Sequence, residues 1–481
     1  MIDKSGLFIK EYNLTSWGEE KKREGKKWRK GALPSFKNRI FFLTNSCIDS
    51  YTAYCYLYTR FKRVTERALT RDKGGEDMPA KKSPMERFNE TCETSEIWWD
   101  SSPLVFESWS RQTILDTPAE RRDEMAAWHR RYYQCDRPLE QLFRGVTTNP
   151  PLSWAAVKDC PSFWREWAIE QKRKHPNATA HDIWWIMYHE IVKRGAEKYL
   201  GVFHQSVFRY GYLSGQVDPR DYENREVMEE QALEIADVAS NVMIKVPGTA
   251  QGLQVIKYLT SKGISTNATL CFILPQFVSV ANAVKEGLEI AKRDGVDLSC
   301  WRSVITTMSA RYEELGDFAE EQERLGIELT EAELRWSSIA ILKKAINFLI
   351  EGGYPSKMLV ASMRQGPVVD GKMRVWHFEK IAGADIVYTC PGKYIKFVDE
   401  LCSDIEFNPD AWREPVPEEV LDKLSKFKYF REAYDPYGLE PPQFNTHPST
   451  VTTATQFSSA TNEMESFVEE ALKGADIKSR F

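Results

Sequence analysis

One lysine interrupts an apolar segment at residues 241–247, NVMIKVP. The flanking residues are typical of a parallel strand that is buried on both faces. Removing an ammonium group from water lowers its pKa toward neutrality, and the free amine can attack a carbonyl to form a Schiff base. Lys245 is therefore a candidate imine-forming residue. The alternative is a lysine at a strand end whose ammonium group reaches solvent or pairs with a carboxylate.

Polar side chains at the ends of other apolar runs could complete a site for aldol chemistry. Such chemistry needs groups that move protons through an ordered water, hold substrate hydroxyls and bind the non-reacting end of the substrate. The candidates are Asp100, Asn149, Gln216, Asn267 and Thr269. Each alone is explained more simply as a turn or helix-cap residue. Their coincidence at successive strand ends favours a shared site.

The elements that would position these residues alternate along the chain from about residue 95. Short apolar runs predict eight strands, at 97–99, 145–147, 212–213, 242–244, 265–267, 303–305, 358–360 and 385–388. Helical patterns lie between most of them, for example 223–238, 250–262, 274–293 and 331–350. This alternation predicts an α/β fold, a single (β/α)₈ TIM barrel whose active site lies at the C-terminal ends of the strands. Lys245 is near such an end.

Three regions are predicted from this pattern. Residues 1–90 form a mostly helical N-terminal extension, residues 91–400 form the barrel, and residues 401–481 form a C-terminal helical segment that packs on it. Within the last region, 418–435 and 460–472 have helical patterns and 436–448 is rich in proline.

Composition excludes several classes of function. The 481 residues carry a formal net charge of −5, so nothing attracts the whole chain to nucleic acid or a membrane surface. The basic run at 19–30 is interrupted by glutamates and is typical of a solvated surface. The nine cysteines are scattered without a C-x-x-C pair, which predicts neither disulfides nor a metal site and favours the cytoplasm. We predict no cofactor, no signal peptide and no membrane span.

Four motifs in order resemble the transaldolase family over about residues 95–400. They are TTNP at 147–150, IKVPGT at 244–249 followed by Gly252, GISTNATL at 263–270 and ASMR at 361–364. The resemblance implies a (β/α)₈ barrel whose strand-4 lysine forms a Schiff base with a ketose phosphate. It also implies cleavage of the C3–C4 bond and transfer of a dihydroxyacetone unit to an aldehyde.

The resemblance implies a role for each matching residue. Lys245 matches the imine-forming lysine, and Asp100 matches the group that deprotonates and later reprotonates the C4 hydroxyl. Asn149 and Asn267 match the amides that hold dihydroxyacetone hydroxyls, and Thr269 matches the threonine that holds the catalytic water.

A second set of matches concerns the substrate's other contacts. Arg311, Ser362 and Arg364 match the phosphate-binding residues, and the planar fork of arginine suits a phosphate. Thr306 stands near the substrate, where the family usually has serine.

The chain departs from the family pattern at three points. Gln216 stands where transaldolases carry a glutamate that shares the catalytic water, and an amide cannot accept a proton as a carboxylate can. Fructose-6-phosphate aldolases carry glutamine here and compensate with a tyrosine, but the matching position in this chain is Met308. The long spacing from Asp100 to Asn149 predicts an inserted helix around Pro118–Tyr133.

Three hypotheses follow. The first is a transaldolase-like enzyme of sugar-phosphate metabolism, such as the pentose phosphate reactions. The alternative is a specialised aldolase of a biosynthetic pathway, which the residues at 216 and 308 would allow. The third is a non-catalytic barrel that binds a partner. The expected partners are sugar phosphates, and homo-oligomerisation is left open.

Overall fold

Eight parallel strands close into a barrel in the computed structural model, which describes residues 81–134, 136–402 and 404–478. The strands are β1 (Glu96–Asp100), β2 (Phe143–Thr147), β3 (Leu213–Gln216), β4 (Val242–Pro247), β5 (Thr266–Cys271), β6 (Ser303–Met308), β7 (Lys357–Ala361) and β8 (Val387–Cys390). Consecutive strands pair with one another, and β8 pairs with β1 to close the ring. The predicted (β/α)₈ barrel is confirmed, and each predicted strand overlaps an observed one.

Helices surround the barrel and extend beyond it. They are α1 (Pro84–Asn89), α2 (Phe106–Asp116), α3 (Arg122–Tyr132), α4 (Pro150–Asp159), α5 (Pro161–Lys174), α6 (Ala180–Glu197), α7 (Leu200–Gln205), α8 (Arg225–Ala236), α9 (Ala250–Ser261), α10 (Leu274–Arg293), α11 (Ser309–Leu315), α12 (Phe318–Leu325), α13 (Glu331–Glu351), α14 (Trp376–Glu379), α15 (Gly392–Leu401), α16 (Glu418–Leu424), α17 (Lys428–Tyr434), α18 (Pro441–Phe444) and α19 (Pro448–Lys478). A small hairpin pairs Val368–Val369 with Lys372–Met373.

The barrel interior is filled at the N-terminal ends of its strands. Every residue of β4, β5 and β6 is buried, as expected for strands covered on both faces. Trp98 of β1 packs with Tyr212, Met243 and Leu359 inside the ring. Its indole lies 2.5 Å from the place of a Cβ at Gly145, so a side chain there would collide with the ring. Packing closes this end and leaves the opposite end for chemistry.

The predicted helices agree with the observed ones, with one division. The predicted helix 274–293 coincides with α10, and the predicted insertion contains α3. The pattern at 418–435 is divided between α16 and α17, because Phe427 adopts an extended backbone and buries its ring completely in the core.

The last helix, α19, joins separate parts of the barrel. Its residues Met464, Phe467 and Val468 pack against α4, α5 and α6. Nearer its start it contacts α11 and β5, which lie at the barrel. At the other terminus of the described chain, Phe88 of α1 stacks on Phe378 with ring centroids 3.8 Å apart. Residues 1–80 lie outside the described part, so the helical extension and the domain boundaries stay predictions.

Candidate active site

Lys245 lies near the C-terminal end of β4 and is almost completely buried, with 3% of its surface exposed. It pairs in register with Gln216 of β3 and Asn267 of β5, so the three side chains point to the same side of the sheet. The Nζ atom donates a hydrogen bond to the Thr148 carbonyl at 3.2 Å. The predicted burial of this lysine is thus what the structure shows.

Burial lowers the pKa of Lys245 to about 8, and two charges act on this value in opposite directions. The Asp100 carboxylate raises it and the Arg311 guanidinium lowers it further. The net effect brings the pKa of the amine close to neutral pH, so a useful fraction is uncharged, as a nucleophilic lysine requires.

Asp100 is the last residue of β1, and its charge is close enough to Lys245 for each to shift the pKa of the other. Thr147 donates a hydrogen bond to its Oδ1 at 2.6 Å, and the Thr147 and Thr389 hydroxyls lie 2.5 Å apart. Burial raises the pKa of Asp100 and outweighs Lys245, Thr147 and Arg311, which lower it. Both members of the pair are therefore shifted toward their neutral forms, so a proton can pass to and from either at modest cost.

The side chains of the two asparagines differ in their burial and in their hydrogen bonds to other residues. Asn267 is buried, donates to Ser214 Oγ at 2.9 Å and accepts from Thr306 Oγ1 at 2.6 Å, so Thr306 fixes the amide's orientation. Asn149 is half-buried, and its Oδ1 caps α4 by accepting from the Leu152 amide at 2.9 Å. The sequence allowed Asn149 to be simply a helix-cap residue, and its side-chain oxygen does cap α4. The same residue also lies at the barrel mouth.

Gln216 and Thr269 carry buried polar atoms without partners among the described residues. Gln216 Oε1 and Thr269 Oγ1 have no protein hydrogen bond. The backbone of Gln216, in contrast, is fixed on both sides by the Tyr188 hydroxyl, which donates to its carbonyl and accepts from its amide, each at 2.8 Å. Since buried polar atoms are nearly always paired, these two atoms are the places where a ligand or solvent atom would bind.

Two arginines and a strained serine lie together beyond the strand ends. Arg311 is in α11, directly after β6, and Arg364 follows β7 by three residues. Burial lowers the pKa of Arg311, and the positive charge of Arg364 lowers it further, so the guanidinium groups are close enough to repel each other. Ser362 between β7 and Arg364 has a φ of 58°, which turns the chain sharply. Two neighbouring cations at a barrel mouth attract an anion.

Each arginine also has a protein partner. Arg311 donates to Gln456 Oε1 at 2.6 Å and to Thr453 Oγ1 at 3.3 Å, both in α19, and it lies over the Phe457 ring. Arg364 is more exposed and lies 3.4 Å from Glu314.

Sequence reasoning missed several residues that shape the site. The α19 residues Thr453 and Gln456 meet Arg311 from more than 140 positions away, and no motif marked them. Glu313 and His377 form a buried contact beneath the arginines, with His377 Nε2 and Glu313 Oε1 2.8 Å apart. The one available signal was that Glu313 lies two residues after Arg311 on the same short helix.

The structure brings the predicted site residues to one end of the barrel. There the pKa of the Lys245 amine is lowered, the pKa of the Asp100 carboxyl group is raised, and two arginines make the mouth cationic. Across the described ranges, no group of three or more His, Cys, Asp or Glu side chains is placed to hold a metal ion. Nor does any helix in those ranges have the length and apolar character that a membrane crossing needs.

Comparison with known proteins finds a family model that matches much of the chain. Residues 134–432 match the model of the family described as "Transaldolase/Fructose-6-phosphate aldolase". The range includes every predicted site residue except Asp100, and it ends before α19.

Individual relatives match over shorter stretches. A "Transaldolase 1" of Streptomyces coelicolor is 32% identical over 169 residues, which cover 35% of this chain and 44% of that protein. A "Transaldolase" of Renibacterium salmoninarum is 33% identical over 172 residues, 35% of this chain and 44% of the relative. One from Campylobacter jejuni is 29% identical over 197 residues, 39% and 58% respectively. The chain thus spans about half the length of the curated relatives it matches.

Proposed function

The chain belongs to the transaldolase/fructose-6-phosphate aldolase family, and we propose that it is a Schiff-base transferase that moves a dihydroxyacetone unit from a ketose phosphate to an aldehyde. The observation that carries the proposal is the state of Lys245, buried at the end of β4 with a pKa of about 8. A lysine kept only for stability would more often be paired with a carboxylate or reach solvent.

The neutral amine of Lys245 attacks the C2 carbonyl of the ketose phosphate, and loss of water gives an imine that can accept electrons. Asp100 then takes the proton of the C4 hydroxyl, the C3–C4 bond breaks, and an aldehyde phosphate leaves. The three carbons that remain on Lys245 add to the acceptor aldehyde, and Asp100 returns its proton to the new hydroxyl. Hydrolysis of the imine releases the product and regenerates the amine.

The remaining residues hold the substrate in this scheme. Asn149 and Asn267 bind hydroxyls of the dihydroxyacetone unit, and Thr306 keeps the Asn267 amide oriented through its 2.6 Å hydrogen bond. Arg311 and Arg364, with Ser362 between strand and loop, bind the phosphate group, where charge-assisted hydrogen bonds are strongest. The neighbouring guanidinium groups support this role, because the repulsion between them is relieved when an anion binds.

One observation bears on the choice between transfer and a second candidate, a specialised aldolase. The unpaired atoms Gln216 Oε1 and Thr269 Oγ1 suit a bound water, but an amide cannot take a proton from that water. Met308 offers no proton-transferring group in compensation. Steps that require water as an acid or base would then be slow, so either transfer dominates over hydrolysis of the intermediate or the chain serves a dedicated aldol reaction.

The proposal extends to location and domain organisation. We place the enzyme in the cytoplasm because its nine cysteines show no disulfide pattern. We also propose that residues 1–90 form an extension to the barrel and that residues 401–481 form a C-terminal segment on it, as the sequence pattern predicts.

A product assay tests the function. The protein is incubated with fructose 6-phosphate and a panel of aldose phosphates, and new ketose phosphates are identified by mass spectrometry. Transfer predicts a longer ketose phosphate that is absent with Lys245→Met, while release of free dihydroxyacetone alone would favour the aldolase. No turnover of any ketose phosphate would contradict both candidates.

Lys343→Met is the matched control for that assay. Lys343 has a pKa lowered by burial to about 8, the same value as Lys245, but it lies on α13 and donates to the carbonyls of Ala411 and Glu414. Product formation should survive its replacement.

A further inference from the structure

A buried carboxylate beneath the barrel mouth joins three separate segments of the chain. Glu313 of α11 accepts hydrogen bonds from Ser338 Oγ at 2.6 Å and from His377 Nε2 at 2.8 Å, and it is ion-paired with Arg335. The side chains of Glu313 and His377 are each 1% exposed. Burial would raise the pKa of Glu313, but His377, Arg335 and Ser338 outweigh it and lower that pKa. The carboxylate is therefore ionised and fully engaged.

Two of these partners, His377 and Arg335, also form hydrogen bonds with the loop that carries Arg364. The backbone amide of Arg364 donates to His377 Nδ1 at 3.0 Å, and Arg335 donates to the Gln365 carbonyl at 3.2 Å. A backbone amide can only donate, so Nδ1 is the acceptor and the ring proton sits on Nε2, which donates to Glu313. The chain of hydrogen bonds from Glu313 thus ends on two successive backbone groups of the loop.

The same carboxylate is fixed to the other arginine through the backbone. Glu313 lies two residues after Arg311 in the single short helix α11. The Arg364 side chain is held by a 3.4 Å ion pair with Glu314 and by hydrogen bonds to the Ser362 and Met363 carbonyls of its own loop, at 3.3 and 3.4 Å. Its position relative to Arg311 therefore depends on where the backbone of the loop is held.

We propose that Glu313, His377 and Arg335 form a clamp that sets the separation of Arg311 and Arg364, and that these three are positioning residues for phosphate recognition. The inference rests on the proposed function, because it assigns the two arginines to the substrate phosphate. Two like charges repel each other, and a rigid support is what keeps both directed at one anion in its absence. None of the three clamp residues touches the phosphate itself.

The clamp predicts different results for two substitutions at one position. In His377→Gln, the longer amide can still donate to Glu313 but no longer offers an acceptor at the Nδ1 position. In His377→Asn, the amide oxygen stands close to the Nδ1 position and can still accept from the Arg364 amide. The glutamine variant should weaken binding of inorganic phosphate by about 2- to 12-fold, the worth of one net hydrogen bond. The asparagine variant should restore part of this loss.

Titration calorimetry with inorganic phosphate gives the affinity, and borohydride trapping with dihydroxyacetone gives the reactivity of Lys245 without a phosphate group. The clamp predicts weaker phosphate binding in His377→Gln with unchanged trapping. If phosphate affinity and trapping fall together, or if phosphate affinity is unchanged while thermal stability drops, the cluster serves only the core and the proposal is overturned.

A second variant and the wild type keep the test decisive. Should His377→Gln not fold, Arg335→Lys keeps a cation beside Glu313 but loses the reach to the Gln365 carbonyl, and it should show the same phosphate-selective loss. Wild-type protein that binds no phosphate but forms a dihydroxyacetone adduct would overturn the clamp and leave the Schiff-base chemistry. Clamp-dependent phosphate binding without any adduct would leave the clamp and contradict the proposed function.

Discussion

Replacing Asp100 with asparagine should change imine formation and turnover in opposite directions. Burial lowers the pKa of Lys245 from its usual value of 10.5 to about 8, even though the Asp100 carboxylate raises it. At pH 7 an amine with a pKa of about 8 is ~10% neutral, whereas one near 10.5 is ~0.03% neutral. The wild-type site thus holds about 300-fold more reactive amine than an exposed lysine would.

Asp100→Asn removes the only charge in this balance that favours the ammonium form. A neighbouring opposite charge changes a pKa by about 1–3 units, so the pKa of Lys245 should fall to about 7 or below. The neutral fraction at pH 7 then rises about 5- to 10-fold. Thr147 can still donate to the amide oxygen, which preserves the local geometry. Turnover of ketose phosphates should nevertheless fall by about 10²- to 10⁴-fold, because an amide cannot take the C4 hydroxyl proton.

The assay measures the rate of borohydride trapping with dihydroxyacetone as a function of pH. In wild-type protein the rate should rise about tenfold per pH unit below 8 and level off above it, since only the neutral amine reacts. Asp100→Asn should move the midpoint to lower pH. Asp218→Asn is the control, because Asp218 is a buried carboxylate whose partner is Arg220, 2.7 Å away, and its loss should leave the midpoint in place. A midpoint in Asp100→Asn that stays at 8 or rises would refute the electrostatic reasoning, and unchanged turnover would refute the proton-transfer role.

Two further predictions concern the phosphate site and the water site. Arg311→Ala and Arg364→Ala should each lower kcat/KM for phosphorylated ketoses by about 10- to 150-fold, or roughly 1.5–3 kcal/mol, and affect dephosphorylated analogues far less. Arg225→Ala is the control, because Arg225 is a half-buried arginine of α8 that pairs with Glu229. Equal losses on both substrate types would place the anion site elsewhere. Gln216→Glu should add a proton acceptor and increase release of free dihydroxyacetone relative to transfer, measured as a partition ratio, and an unchanged ratio in folded protein would argue against a catalytic water at Gln216.

The barrel and the reactive lysine were predictable because their signals are local. Buried parallel strands leave short apolar runs, and a lysine in such a run stands out against them. The motifs around Lys245 and Asn267 lie on neighbouring strands, so chain order alone brings them together. Helices α5 and α6 were not singled out, since they add to the barrel pattern without a motif of their own.

The support of the site could not be predicted because its contacts are distant in sequence. Glu313 meets His377 across 64 positions, and Gln456 reaches Arg311 across 145. Neither His377 nor Gln456 belongs to a recognisable sequence pattern. Each reaches the site only through the tertiary fold, which brings distant segments together. The division of the predicted helix at Phe427 has a similar origin, because the Phe427 ring is buried in a core formed by residues distant in sequence.

The identity of the lysine that carries the substrate tests the central claim most directly. Protein is incubated with fructose 6-phosphate, reduced with borohydride, digested and analysed by mass spectrometry, with Lys245→Met and Lys343→Met treated in parallel. We predict a dihydroxyacetone-derived adduct on the peptide that contains Lys245, absent from Lys245→Met and retained in Lys343→Met. An adduct on another lysine, or one that persists in Lys245→Met, would contradict the account.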